Sequence, residues 1–323
     1  MDLKNSNLLR RPLVTGAGGF IGSHLCRALA TLSNVELIYA VDLPGSTRLK
    51  SLASIRKVKV IEFDLSFDGL INRLDMNPSV VFALAAINGT SRFYTSPFTI
   101  LQASSIPTLN TIKEFYQICP IIYSSSSEVY ASTINRDISF SPTLENVPLS
   151  IEDVRNPRWS YATGKLFGEV AIQNARIEHG LRGAVIRYHN VYGPNMGTDH
   201  FVPDFVQRVK KKIFKIYGWD STRSFLYIDD AIRGTLDVLN ADLDQVDIFN
   251  LGTTEELKIL SAARVILFEM GIDPGTEIEL LQSPQGSAKR RVPNIDKAKK
   301  ILGWEPKVSF QEGIKKYLTE DYS

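Results

Sequence analysis

The stretch TGAGGFIGSH (15–24) follows a short apolar run, PLVT (12–15), and opens onto an apolar helical pattern from about Phe20 to Leu32. Its glycines fall at 16, 19 and 22. Gly16 suits a tight turn, Gly19 lets the backbone approach a pyrophosphate, and Gly22 permits close helix–strand packing. The diphosphate charge would rest on the N–H groups at the N-terminus of the helix. A glycine triplet alone is weak evidence, because any strand–helix turn tolerates glycines. Its surroundings decide the reading.

Downstream, the run VELIYAVD (35–42) ends in Asp42, about 20 residues after the motif, where a carboxylate accepts from the ribose hydroxyls of NAD. An Arg at this place would suit a 2′-phosphate. The first basic residue after it is Arg48, so NAD is expected rather than NADP. Asp64-Leu65, after VKVIEF (58–63), is placed to reach the adenine edge, although a cap on a following helix explains Asp64 almost equally well. SVVFALAA (79–86), PIIYSS (120–125) and GAVIRYHN (183–190) are further strands. Helical stretches at Pro97–Tyr116 and Trp159–His179 separate the last three. The strands are apolar without strict alternation, as expected of strands covered on both faces. The fold class is α/β: a doubly wound parallel sheet with a smaller mixed C-terminal lobe. Residues 1–189, with 224–250 returning to them, form the NAD-binding part. Residues 190–223 and 251–323 form the substrate-binding lobe. DDAIRGTLDVL starts a helix with Asp229 or Asp230 near its cap.

Composition excludes several classes. The chain has 323 residues, 44% hydrophobic and 22% charged, and Lys+Arg 37 against Asp+Glu 35 leaves a net charge of +2. Nothing there calls for nucleic acid or an anionic membrane as partner. KKK (210–212) reads as a solvated helix end. Cys26 and Cys119 lie in apolar-periodic segments, as free buried thiols in a reducing compartment would. The opening residues MDLKNSNLLRRP carry no apolar core of a signal peptide. A cytoplasmic protein with no bound metal is expected.

YATGK (161–165) brings reaction chemistry. Tyr161 and Lys165, four apart, share one helical face. A tyrosine with an ordinary pKa of about 10 needs a neighbouring ammonium to act as a base near neutrality. The pair gains weight from IIYSSSSEVY (121–130), a strand end that delivers hydroxyls and a carboxylate.

Taken together, TGAGGFIG, Asp42, Asp64-Leu65, LAA (84–86), SSSSEVY, YATGK, RYHNVYGP (187–194), RSFLYIDD (223–230) and RRVPNIDKAKKILGWEP (290–306) resemble the extended short-chain dehydrogenase/reductase family, in its NAD-dependent nucleotide-sugar epimerase/dehydratase branch. The likeness runs from Leu13 to about Gly313. It implies a Rossmann domain and a homodimer, built on the helices from about Pro97 and about Trp159. It implies that Ser126 hydrogen-bonds the reacting sugar oxygen, that Tyr161 takes the C4 hydroxyl proton, and that Lys165 holds the nicotinamide ribose. Phe20, Ile21, Leu84, Ala85 and Ala86 would join the glycines around the cofactor. Ser127, Asn190, Val202 and Tyr217 would line the substrate, and Arg223 and Arg291 would face its diphosphate. For Arg291 an ordinary surface ion pair is a strong competing reading, because Arg290 stands beside it.

Two departures from the family pattern stand out. Ala83 replaces a frequent His, which affects packing more than chemistry. Ser104 and Pro107 replace Asn and Gly in the following helix, where a bend is expected. Oxidation at C4 leads on to 4-epimerisation, 4,6-dehydration or decarboxylation. Glu128 favours a dehydratase or decarboxylase second step, as lyases of the family carry it. Ser127 stands where some dehydratases have an Asp, and RYHN with LAAINGT is also like 3,5-epimerases. A strand-end structural role for Glu128 stays open, as does a different class: a catalytically idle NAD-binding regulator. Retention of Ser126, Tyr161 and Lys165 together weighs against the regulator.

Overall fold

The computed structural model describes residues 6–283 and 287–319. The expectation about a signal segment falls partly on residues 1–5, which lie outside the described residues. Along the chain the elements are β1 (Pro12–Thr15), α1 (Phe20–Thr31), β2 (Ile38–Asp42), α2 (Thr47–Leu52), β3 (Val58–Glu62), β4 (Val80–Ala83), α3 (Thr90–Thr95), α4 (Pro97–Phe115), β5 (Ile121–Ser126), α5 (Ala131–Arg136), α6 (Ser160–His179) and β6 (Gly183–Tyr188). There follow β7 (Val191–Tyr192), α7 (Phe201–Lys210), β8 (Lys215–Tyr217), β9 (Thr222–Arg223), β10 (Leu226–Tyr227), α8 (Ile228–Asp237), β11 (Ile248–Leu251), β12 (Leu257–Lys258), α9 (Ile259–Glu269), β13 (Glu279–Leu281), β14 (Arg290–Arg291), α10 (Asp296–Leu302) and α11 (Phe310–Thr319). Short 3₁₀ turns lie between some of them.

The main sheet has seven parallel strands in the order β11-β6-β5-β4-β1-β2-β3. The chain reverses direction across the sheet between β1 and β4, and ligands of such sheets bind beyond the strands' carboxyl ends at that switch point. Successive residues of one strand feed two different cores. Leu13 of β1 and Val81 of β4 lie in the core under α4 and α6. Val14 and Phe82 lie in the core shared with α1 and α8. Burial on both faces is why these strands read as unbroken apolar runs.

Several expected boundaries move. α4 runs without a break through Pro107. Ser104 sits on its buried face and meets α6 where a side chain at Gly164 would collide with the Ser104 Cβ at 2.5 Å. Gly164 is therefore demanded by this helix contact. Ala83 is core packing at the end of β4, in line with the expected role. β11, not recognised as a strand in the sequence, adds itself to the free edge of β6.

Asp230 is not the cap of α8. The helix has no side-chain cap. The buried Asp230 carboxylate instead accepts from the backbone N–H groups of Lys307 (2.7 Å) and Val308 (2.8 Å) and from Arg233. It fastens the segment after α10 to the first turn of α8, while the Trp304 indole donates to the Asp230 carbonyl. Among the described residues, no helix is long and apolar enough to cross a membrane.

Asp230→Ala strands two buried backbone donors that now have a charged acceptor. It is expected to destabilise the fold by about 2–4 kcal/mol, read as a fall in the urea midpoint.

Candidate active site

The glycine turn fits a dinucleotide. Gly16 has φ +68°, and a side chain on it would press into the Ala85 backbone at 2.9 Å. A Cβ at Gly22 would fall 2.2 Å from the Gly16 carbonyl oxygen, so helix and turn touch only because both positions are bare. The N-terminus of α1, at Gly19, has no side-chain cap. Its first N–H groups are thus left for an anion. Asp42 accepts from Gly18 N–H at 2.7 Å and from Leu43 N–H at 2.8 Å, which leaves lone pairs on its carboxylate for ribose hydroxyls. Thr15 Oγ1 accepts from Leu84 and Ala85, holding the ends of β1 and β4 together.

A cavity of about 1190 Å³ opens here and runs along the strand ends into the C-terminal lobe. On the turn side it is lined by Gly16, Gly19, Phe20, Ile21, Gly22, Asp42, Asp64, Leu65, Leu84, Ala85 and Ala86. Arg48 lines it too. Asp64 caps a turn by accepting from Ser66 N–H at 2.8 Å, and no α-helix follows it. On the lobe side the lining includes Ser126, Ser127, Glu128, Tyr161, Lys165, Asn190, Val202, Tyr217, Arg223 and Arg291. Every residue expected from the sequence to touch cofactor or substrate therefore borders one continuous space.

The serine run resolves residue by residue against α6. Gly168 sits where any Cβ would meet the Tyr123 hydroxyl at 2.1 Å, so the helix lies tight against β5. At that distance Lys165 Nζ donates to the Ser124 carbonyl (2.7 Å), and Ser125 Oγ donates to Glu169 (2.5 Å). Ser126 stands beside Tyr161 and accepts from Glu128 N–H at 3.2 Å. Glu169 is neutralised by the fully buried Arg187 through two nitrogens at 2.9 and 2.6 Å, a planar fork pairing. Burial pushes the Lys165 ammonium down to about 7, against the pull of Glu169. Burial and the Glu128 charge raise the Tyr161 phenol, and the Ser126 hydroxyl opposes the rise. Lys165 points its ammonium at Ser124, 5.8 Å from the Tyr161 ring centre, so burial outweighs the ammonium's effect on the phenol here.

The competition between Arg290 and Arg291 is decided by strand periodicity. β14 pairs parallel with β9, with Arg291 opposite Arg223, and side chains alternate along a strand. Arg291 and Arg223 therefore turn together into the cavity, while Arg290 turns out to Glu256 (2.8 Å). The bridge of Thr143 to Pro293 anchors this short strand. Burial and the neighbouring Arg291 depress Arg223 to about 9, with Glu128 opposing. Its Nη1 donates to its neighbour's carbonyl, that of Thr222.

Sequence reasoning missed Arg158. Its Nη2 pairs with Glu128 Oε2 at 2.6 Å, while Arg291 Nη1 pairs with Oε1 at 2.6 Å. Arg158 lies three residues before Tyr161, on the same side of the emerging helix, and that spacing was the available signal. Phe93 was also missed. It stacks on Tyr161 with centroids 5.4 Å apart and lies under the Arg158 guanidinium at 5.4 Å. Burial raises the Glu128 carboxyl, but Arg158 and Arg291 overcome it and hold the group at about 2.

A model of the NAD dependent epimerase/dehydratase family matches residues 12–252. UDP-glucuronic acid decarboxylase 6 of Arabidopsis thaliana is 28% identical over 330 residues, covering 99% of this chain and 92% of that protein. A mutant of UDP-glucuronic acid 4-epimerase from Bacillus cereus, solved with UDP-4-deoxy-4-fluoro-glucuronic acid and NAD, superposes with a TM-score of 0.83. It is 26% identical, and the alignment covers 95% of this chain and 97% of that one. UDP-glucose 4-epimerase of Thermotoga maritima, solved with UDP-glucose, gives a TM-score of 0.78 at 25% identity, with 95% and 97% covered.

Because the folded Glu128 carboxyl titrates below its ordinary 4.5, its contribution to stability is present above about pH 4.5 and disappears as pH falls toward 2. The shift corresponds to roughly 3 kcal/mol. In acid titrations of unfolding free energy, Glu128→Gln is expected to be less stable at neutral pH by about that amount and to lack this part of the slope.

Proposed function

We propose that the chain, which belongs to the NAD dependent epimerase/dehydratase family, oxidises a nucleotide-diphosphate sugar at C4 and then removes carbon dioxide from C5 of a uronic acid sugar. The carrying observation is the Glu128 carboxylate held between Arg158 and Arg291 within the same cavity as Ser126 and Tyr161. NAD, when bound on the glycine turn, supplies the hydride-accepting and hydride-returning chemistry of such a reaction. Residues 1–189 with 224–250 hold it, and residues 190–223 and 251–323 hold the nucleotide sugar.

Within the site, Tyr161 takes the C4 hydroxyl proton while Ser126 holds the same oxygen. Lys165 holds the cofactor's ribose and brings positive charge to the helical face that carries Tyr161. Dehydration across C5–C6 would need a base for the C5 hydrogen and an acid for the leaving hydroxyl. Glu128, kept ionised at about 2, is a poor base, and Ser127 is a poor acid in the place where one is needed. Loss of carbon dioxide needs neither. The C5–C6 bond breaks and carbon dioxide leaves, the electron pair spreads onto the C4 oxygen between Ser126 and Tyr161, and a solvent water gives a proton to C5. Donors aimed at an oxygen that gains charge are worth most in a buried site. The relatives named as UDP-glucuronic acid decarboxylases support this reading. A second reading, 4-epimerisation of the same uronic acid sugar, is favoured by the arginines themselves, because a carboxylate held in a salt bridge is less ready to leave.

The chain is proposed to work as a homodimer in the cytoplasm. Exposed Phe98 and Leu109 on α4, and Phe167, Val170 and Ile177 on α6, supply apolar surface for a second copy. Cys26 and Cys119 are buried free thiols, each pushed up to about 12 by burial, which suits a reducing compartment.

Purified protein incubated with UDP-glucuronic acid and NAD is expected to yield a UDP-pentose in mass spectra. Unchanged mass with an altered sugar configuration by NMR would favour the 4-epimerase, and no conversion of any acidic nucleotide sugar would sink both readings. Tyr161→Phe is expected to lower turnover by at least about a hundredfold, since the C4 proton loses its acceptor. Light scattering at micromolar concentration is expected to give twice the mass of the chain; a single-chain mass removes the dimer.

A further inference from the structure

Arg158 takes part in no proton or hydride step of the proposed reaction, yet it is built into the wall of the site. Its side chain is 5% exposed, and that of Arg291 is 8% exposed. Glu128 takes one nitrogen from each and bridges them as a bound carboxylate would. Each guanidinium then keeps one buried nitrogen without an acceptor, Nη1 of Arg158 and Nε of Arg291. Buried charged donors are rarely left unpaired in a settled structure. Arg223, opposite Arg291 in the ladder, adds a third positive charge. Three guanidiniums thus surround one carboxylate, and the arrangement is short of negative charge.

The place of this cluster says which anion is missing. Arg158 is packed over Phe93, and Phe93 over Tyr161. Glu128 is two residues from Ser126, which stands beside Tyr161. With Ser126 and Tyr161 on the C4 oxygen, as proposed above, the cluster would face the substituent on the neighbouring C5, a different place for Arg291 from the diphosphate that the family resemblance implies.

Building on the uronic acid reading, we infer that Arg158 and Arg291 form the seat for the sugar's carboxylate, and that Glu128 fills this seat as an internal stand-in until an acidic sugar displaces it. Arg158 is then a specificity-determining residue. A neutral sugar offers nothing to exchange for Glu128 and leaves the bridge closed. A uronic acid sugar takes over the guanidiniums, satisfies the two idle nitrogens and frees the Glu128 carboxylate to turn toward C5. Glu128 thereby becomes a weaker acid only when the correct substrate is present.

Calorimetric titration of the protein, with NAD present, against UDP, UDP-glucose and UDP-glucuronic acid tests this. The wild type is expected to prefer UDP-glucuronic acid over UDP-glucose. Arg158→Gln is expected to weaken UDP-glucuronic acid by at least about tenfold while UDP and UDP-glucose move by less than about threefold. Arg158→Lys, which keeps the charge, should recover part of the preference. Glu128→Gln removes the internal competitor, so UDP-glucuronic acid should bind about tenfold tighter, although the free protein is less stable. Weakening of all three ligands in parallel by Arg158→Gln would assign this arginine to the diphosphate and overturn the inference, as would weaker UDP-glucuronic acid binding in Glu128→Gln. The binding pattern stands apart from turnover. A protein that shows it but releases no carbon dioxide refutes the decarboxylase alone, and a decarboxylase whose preferences are unmoved in both variants refutes the carboxylate seat alone.

Discussion

The close approach of α6 to β5 governs the site. Gly168 leaves no room between the helix and the Tyr123 ring, and Gly164 does the same against Ser104 of α4. Pressed this close, residues 161, 165 and 169 on successive turns of one helical face fall against consecutive residues of the strand end. Lys165 meets Ser124, Glu169 meets Ser125 and Tyr161 meets Ser126. The four serines are thus a strand end matched to a helix face. Ser127, the last of them, is buried in the turn that brings Glu128 round into the cavity.

Burying that many charged and polar groups is tolerable only because each has a counterpart. Arg187 neutralises Glu169, receives Tyr130 and the Glu145 carbonyl as further partners, and keeps the helix face from carrying a net negative charge beside Tyr161. Isolated, a buried carboxylate or guanidinium would be too costly. Around Glu128 two buried guanidiniums share one carboxylate, so charge is left over there where a ligand is able to settle it.

Much of this was legible in the sequence. The glycine turn, Asp42, the strand run 120–125, the Tyr161–Lys165 spacing and the order of alternating elements all depend on short-range chemistry, and they appear where expected. Long-range register was not legible. Whether Arg290 or Arg291 enters the cavity depends on a two-residue ladder with Thr222–Arg223, which no local pattern announces. Arg158 was not singled out because its partner, Glu128, is distant in sequence. Asp229 and Asp230 lie near the cap of α8 as expected, but the role of Asp230 as acceptor for Lys307 and Val308 was not legible, because these partners are far along the chain. β11 was too short and too isolated to show a strand period. Pro107 lies inside α4, which continues past it.

The ladder of β9 and β14 sets two arginines face to face over a run of only two paired residues, with the Thr143–Pro293 bridge beside it. Like charges placed directly opposite loosen a strand pair. Amide protons of this ladder are therefore expected to exchange with solvent sooner than those of the main sheet, and to slow when an anion lies between the two guanidiniums. By mass action, an anion that binds only the closed ladder lowers the population of the open one. The degree to which this one short seam stays shut then reports how far an anion occupies the space between the two arginines.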